Sequence, residues 1–180
     1  MISKCSKIYV VMTVVVFLAV AGQSYGGNFI QGQCGQKIRN SIILTEDIGP
    51  CDGVGIIVTR HGITLDGNGH IISGTGTDNG ILIGEKKSVT IKNLSVKCFN
   101  NGINMRRGCD NLITGNALSG NGIGVSLSAT GTIVRNNIVF ENDMGVSVTS
   151  PNNSIFHNIL INNDVQIKDV GRRWVWQLLG

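Results

Sequence analysis

Between residues 80 and 167 short apolar runs recur with polar residues between them, and their spacing repeats. Gly80-Ile81-Leu82-Ile83 aligns with Gly102-Ile103-Asn104-Met105, Gly124-Val125-Ser126-Leu127, Gly145-Val146-Ser147-Val148 and Asp164-Val165-Gln166-Ile167, in steps of 22, 22, 21 and 19 residues. A second register sets an Asn before a short apolar strand, at Asn93-Leu94-Ser95-Val96, Asn116-Ala117-Leu118-Ser119, Asn137-Ile138-Val139-Phe140 and Asn158-Ile159-Leu160-Ile161. A third, Ile91, Ile113, Val134 and Phe156, ends the strand before each Asn. Each unit therefore predicts three short strands, in a period too short for a helical-pair repeat.

Three strands per unit, turned at Asn- and Gly-rich corners, predict an all-β fold: a right-handed parallel β-helix of about six coils. Coils of such a solenoid stack about 4.8 Å apart, so like residues lie above like. Ile81, Ile103, Val125, Val146 and Val165 form one expected inward column, and Leu94, Ala117, Ile138 and Ile159 another. β-Branched residues dominate both, as a packed strand surface favours. Corner Asn and Gly suit the left-handed backbone of tight bends, and stacked Asn amides can form a hydrogen-bonded ladder. On this reading the Asn residues turn corners and bind nothing.

The ends depart from the repeat. Lys4 and Lys7 precede an apolar run over residues 8–20, and small residues follow at Ala19, Ala21, Ser24 and Gly26. This is the pattern of a secretory signal peptide over residues 1–26, with cleavage after one of residues 21–26; the run is short for a membrane span. The expected product is exported, secreted or periplasmic, with no membrane attachment after cleavage. Residues 33–65 form an irregular first coil, and the β-helix domain spans 27–167. Residues 168–180, with Arg172, Arg173, Trp174 and Trp176, are either a cap or a shortened end; the two tryptophans suit covering the last core better than a sugar platform.

Cleavage also removes Cys5 and leaves Cys34, Cys51, Cys98 and Cys109, an even count in an oxidising compartment. Cys34–Cys51 is the favoured disulfide, a staple for the first coil. Cys98 and Cys109 either pair across a corner or stay as buried thiols. The formal charge of +4 falls to +2 without Lys4 and Lys7, and only 14% of residues are charged. Such a chain has no need of a polyanion, and with acids interleaved among Lys86, Lys87, Lys92, Lys97, Arg106 and Arg107, nucleic acid is excluded as a partner. A monomer is the expected state.

Cys34-Gly35, residues 41–51 and Ile63-Thr64-Leu65-Asp66-Gly67-Asn68-Gly69-His70 resemble the opening coils of right-handed parallel β-helix proteins, in particular the NosD group and related carbohydrate-binding and sugar-hydrolase repeat domains. The likeness covers about residues 34–167. It implies the fold, and it leaves activity open, because pectate lyases, polygalacturonases, epimerases and adhesins share it. A NosD-like role implies copper-enzyme maturation in the periplasm, with copper as the metal; a pectate-lyase-like role implies calcium.

The candidate chemistry follows these roles. A lyase needs carboxylates gathered for calcium beside a base; the candidates are Arg106, Arg107 and Arg135, with Glu141 and Asp143 straddling Asn142 as the nearest approach to an acidic pair. No catalytic motif is found, nor the Asp set of a glycoside hydrolase. Asp66 and His70 hint at a calcium loop, but no Glu follows at its twelfth position, so a bend-stabilising Asp66 is the plainer reading. Copper would need His, Cys or Met to converge, and His61, His70, His157, Met105 and Met144 stand at unrelated positions. A long flat solenoid face suits extended carbohydrate, so polysaccharide binding is the leading expectation, with copper-enzyme maturation and a structural or adhesive role as alternatives.

Overall fold

The computed structural model describes residues 28–30 and 32–170. The predicted signal peptide, and Trp174 and Trp176 with the rest of 171–180, lie outside the described residues. All regular structure within them is β-strand, paired in parallel in three sheets. Sheet I holds seven strands: Asn28–Ile30, Ile42–Leu44, Thr64–Asp66, Thr90–Lys92, Leu112–Thr114, Ile133–Arg135 and Ser154–Phe156. Sheet II holds six: Ile48–Cys51, Ile71–Gly74, Ser95–Lys97, Ala117–Ser119, Ile138–Phe140 and Ile159–Ile161. Sheet III holds seven: Gln36–Ile38, Ile56–Val58, Asn79–Gly84, Asn101–Arg106, Ile123–Leu127, Met144–Val148 and Val165–Asp169. One strand of each sheet, in the order I, II, III, makes a coil, and six complete coils follow from Ile42: the expected right-handed parallel β-helix.

The core is a set of vertical columns, one from the middle of each sheet. Ile81, Ile103, Val125 and Val146 stack in register and are buried, as the repeat predicts. The column ends differently: Val146 pairs with Ile167, and Val165 pairs with Met144 and is 43% exposed. The last step is therefore 21 residues, not 19. In the second expected column Leu94 is buried, at the I–II corner, but Ala117, Ile138 and Ile159 each lie one residue off the buried line. The buried line of sheet II is Val96, Leu118 and Val139, with Leu160 packed against it, while Ile138 and Ile159 face out at 45% and 52% exposure. Ile155, not Phe156, continues the Ile91–Ile113–Val134 line. The two one-residue shifts share one cause. With side chains alternating, a one-residue slip exchanges in for out, and a run such as Ile-Leu-Ile carries no polar residue to mark which members face water.

Each corner of the later coils contains a pair of residues with divided roles: one bends the chain and the next points inward. Gly115, Asn136 and His157 hold left-handed backbone at the I–II corner, and Gly120, Glu141 and Asn162 do so at II–III. The residues after them, Asn116, Asn137 and Asn158 at one corner and Asn121, Asn142 and Asn163 at the other, form ladders. The ladder Asn side chains thus do not make the bend. The main-chain N–H and the Nδ2 of Asn121 both donate to Asn142 Oδ1, at 2.9 and 3.0 Å; those of Asn142 donate to Asn163 Oδ1, at 3.1 and 2.9 Å. Asn142 Nδ2 also donates to the carbonyls of Leu118 and Phe140, so both ends of a buried amide are satisfied. At the III–I corner the column is Asn111, Thr132 and Asn153, and Thr132 breaks it: its Oγ1 is the buried side-chain polar atom without a partner among the described residues.

The repeated Gly that opens each sheet III run has a steric reason. A Cβ on Gly80, Gly102, Gly124 or Gly145 would lie 2.5–2.7 Å from the carbonyl oxygen of its counterpart one coil on. Adjacent coils approach too closely there for any side chain. At the other end Cys34 and Cys51 are bonded, as expected, with Cα atoms 5.6 Å apart. Cys98 and Cys109 are not disulfide-bonded: Cys98 stands at the II–III corner and Cys109 at III–I.

Candidate functional site

Once the strands are in register, charge falls into two opposite corners. After each sheet III strand of the early coils the chain leaves the core column at Ile38, Val58, Ile83 and Met105 and turns outward. The residues that follow are Arg39; Arg60 and His61; Lys86 and Lys87; then Arg106 and Arg107. Six of the eleven Lys and Arg among the described residues thus lie along the III–I corner over four successive turns. Glu85 and Asp110 are the acids among them, which leaves the ridge net positive by four. In the next two turns the same corner carries Ser128, Thr130 and Thr132, then Thr149, Ser150 and Asn153, with no charge. The II–III corner is the reverse: Asp52, Asp78, Glu141, Asp143 and Asp164 stand there with no Lys or Arg.

The basic ridge carries a hollow of about 440 Å³, lined by Gly84, Glu85, Lys86, Arg106 and Arg107. Gly84 pairs in register with Arg106, so the lower coil places no side chain under the arginine. Arg107 Nη1 contacts Glu85 Oε1, and both side chains are more than 60% exposed; an exposed pair of this kind contributes little to stability, about 0–1 kcal/mol. His61 and Cys109 complete the corner. His61 Nδ1 accepts the Lys87 N–H at 3.0 Å. A hydrogen bond to Asp110 holds the Cys109 thiol above its ordinary value of 9.0, so it is protonated at neutral pH.

The structure brings together only part of what the sequence singles out. Arg106 and Arg107 share the hollow. Arg135 lies on the outer face of sheet I in coil 5, in register with Thr114 and Phe156, and Glu141 and Asp143 lie on the acidic corner. The arginines and the acid pair are therefore on different corners. Asp66 is fully engaged: its Oδ1 accepts the Asn68 N–H at 3.0 Å and Asn93 Nδ2 at 3.2 Å, and its Oδ2 pairs with Lys92 Nζ at 2.9 Å. Partial burial pushes its pKa up, the Lys92 hydrogen bond and those from Asn68 and Asn93 pull it down, and the balance lies below the ordinary 3.8. His70 Nδ1 meets Asp47 Oδ1 at 3.1 Å and leaves Asp66 alone. Arg39 and Arg60 are what the sequence reading missed. Their signal was present: each falls one or two residues after a buried apolar residue equivalent to Met105, visible once Ile38 and Val58 are aligned with it.

For copper the donors do not gather. His70 and His157 occupy the same corner four coils apart, roughly 19 Å at about 4.8 Å per coil, and His61 is on another. Met105 is buried in the core, and Met144 opens the sheet III strand of coil 5. Among the described residues no group of three or more His, Cys, Asp or Glu is placed to hold a metal ion. The described side chains therefore do not fit a resident copper centre.

The family model described as "Periplasmic copper-binding protein (NosD)" matches residues 8–178. No curated protein and no solved structure matches the chain. With the model spanning nearly the whole sequence, and its parallel coils visible in the fold, the chain belongs to the NosD family.

Proposed function

We propose that this NosD-family chain is a periplasmic binding solenoid that holds an extended acidic polysaccharide along its III–I corner. The observation behind this reading is the ridge of Arg39, Arg60, Lys86, Lys87, Arg106 and Arg107, which repeats cations at the coil spacing on a straight edge. A row of exposed cations on a rigid scaffold attracts a linear polyanion, with strong dependence on salt. Binding is favoured over cleavage because the acids a calcium-assisted lyase would use stand on the opposite corner. The reading rests on charge rather than on stacking: Phe99 is buried, and Phe140 and Phe156 are half-buried on strands away from this corner.

Titration calorimetry with polygalacturonate, against neutral dextran, tests this. Polygalacturonate binds, dextran does not, and Arg106→Ala/Arg107→Ala weakens binding about tenfold, or about 1.4 kcal/mol. Equal affinity for dextran, or an unchanged affinity in the variant, overturns the reading.

The family match favours a second reading, an accessory role in copper-enzyme maturation. Because the described residues offer no converged ligand set, that role is one of holding a partner rather than carrying the ion. A copper titration in which His61→Ala, His70→Ala and His157→Ala leave stoichiometry unchanged supports it; loss of a bound equivalent in any one of them refutes it.

A further inference from the structure

We propose that the II–III edge of coils 5 and 6 is a docking surface for a protein partner that presents a segment of alternating cationic and apolar side chains. On the outer face of sheet II, Ile138 and Phe140 flank the buried Val139, and Ile159 and Ile161 stand in register one coil on. Ile138, Ile159 and Ile161 are 45%, 52% and 48% exposed. Around the corner on sheet III, Met144 pairs with Val165, which is 43% exposed. Between these two apolar strips run Glu141, Asp143 and Asp164.

The fold does not require this surface. The positions in register with Ile138 and Phe140 one coil earlier are Ala117 and Ser119, and before them Ser95 and Lys97, in strands that form equally well. The first of the paired sheet III positions is Asn79 and Asn101 in coils 2 and 3. A contiguous apolar patch that the scaffold has no use for marks an interaction surface. The carboxylates choose the occupant. A strip of acids between apolar rows complements a cationic, apolar-faced chain. It disfavours a second copy seated symmetrically on the same edge, which would bring Glu141, Asp143 and Asp164 of the two copies together.

The test uses the full chain and fluorescence anisotropy with three labelled peptides of equal length: alternating Lys and Leu, alternating Glu and Leu, and alternating Lys and Ser. The Lys–Leu peptide binds at least about tenfold more tightly than either other. Ile138→Ser/Ile159→Ser and, separately, Glu141→Lys/Asp143→Lys each weaken it about tenfold, as loss of a central contact does. Arg106→Ala/Arg107→Ala, on the opposite corner, leaves it unchanged, which keeps this result separate from polysaccharide binding. All the altered side chains face solvent, and circular dichroism checks each fold. No binding by the full chain, equal binding of the Glu–Leu peptide, or indifference to either edge variant overturns the proposal. So does a concentration-dependent dimer in sedimentation that Ile138→Ser/Ile159→Ser abolishes, since a second copy would then be the occupant.

Discussion

Coils 2 and 3 and coils 4 to 6 solve the same corner problem in different ways. In the earlier coils the inward corner residues are Ile63, then Val89, Leu94 and Phe99, all buried and apolar. In the later ones they are Asn111, Asn116 and Asn121, then Thr132, Asn137 and Asn142, then Asn153, Asn158 and Asn163. The period follows the chemistry. Along sheet I the step from Ile42 to Leu65 is 23 residues and from Leu65 to Ile91 is 26, after which the steps are 22, 21 and 21. An apolar corner needs only to be filled, so extra residues can bulge outward from it. A stacked amide must meet its neighbour at hydrogen-bond distance, and that fixes the length of every coil it joins. The irregular half is the half that carries the disulfide, the Asp66–Lys92 pair and the basic ridge.

The sharpest way to break this contrast is Asn142→Ala. It strands the Asn121 N–H in the core and takes one hydrogen bond each from Asn121 Nδ2, which keeps the Val96 carbonyl, and from Asn163 Oδ1, which keeps the N–H of residue 142; at about 1–3 kcal/mol for a buried group left unsatisfied and about 1 kcal/mol for each further hydrogen bond lost, the expected loss is about 4 kcal/mol, read as a lower Tm in calorimetry. A loss no larger than that of a surface Asn→Ala would show the ladder to be ornament. Next is the disulfide. Replacing Cys34 and Cys51 with Ser opens a link spanning 17 residues, worth about 3 kcal/mol in the chain-entropy model. Hydrogen exchange then quickens in coils 1 and 2 and stays slow in coils 4 to 6; uniform quickening would mean the two halves unfold as one.

Thr132→Asn repairs the interrupted ladder. Its Oδ1 faces the Asn111 N–H and its Nδ2 faces Asn153 Oδ1, so stability rises by about 1 kcal/mol, seen as a higher urea midpoint at constant slope. A fall instead would mean that the corner lacks room for the amide. The smallest effect is that of pH on Asp66. Its folded pKa lies below the ordinary 3.8, so the stability it gives is present above that value and is lost as pH falls through the folded one. Asp66→Asn flattens the acid limb of the stability curve below about pH 4 and changes little at pH 7 beyond the loss of the Lys92 pair. An unchanged acid limb places that sensitivity in other carboxylates.

The candidate surfaces were less legible than the fold. Arg106 and Arg107 are adjacent in the chain and invite attention, whereas Arg39, Arg60, Lys86 and Lys87 come from turns of unequal length and align only after the core columns do. Ile138 and Ile159 misled in the opposite direction. In a strand with three apolar residues in a row, hydrophobicity does not say which face is inside, and these two are the ones turned out.

The sequence by itself determined the parallel β-helix and its number of coils, because both rest on a period that repeats along the chain, and it favoured the Cys34–Cys51 staple. Only the tertiary structure decided which member of each apolar run is buried, which Asn bends the chain and which joins a ladder, and that the charges divide into a basic edge and an acidic one. Those depend on the phase of one coil against the next, and phase is set by stacking between residues more than twenty positions apart.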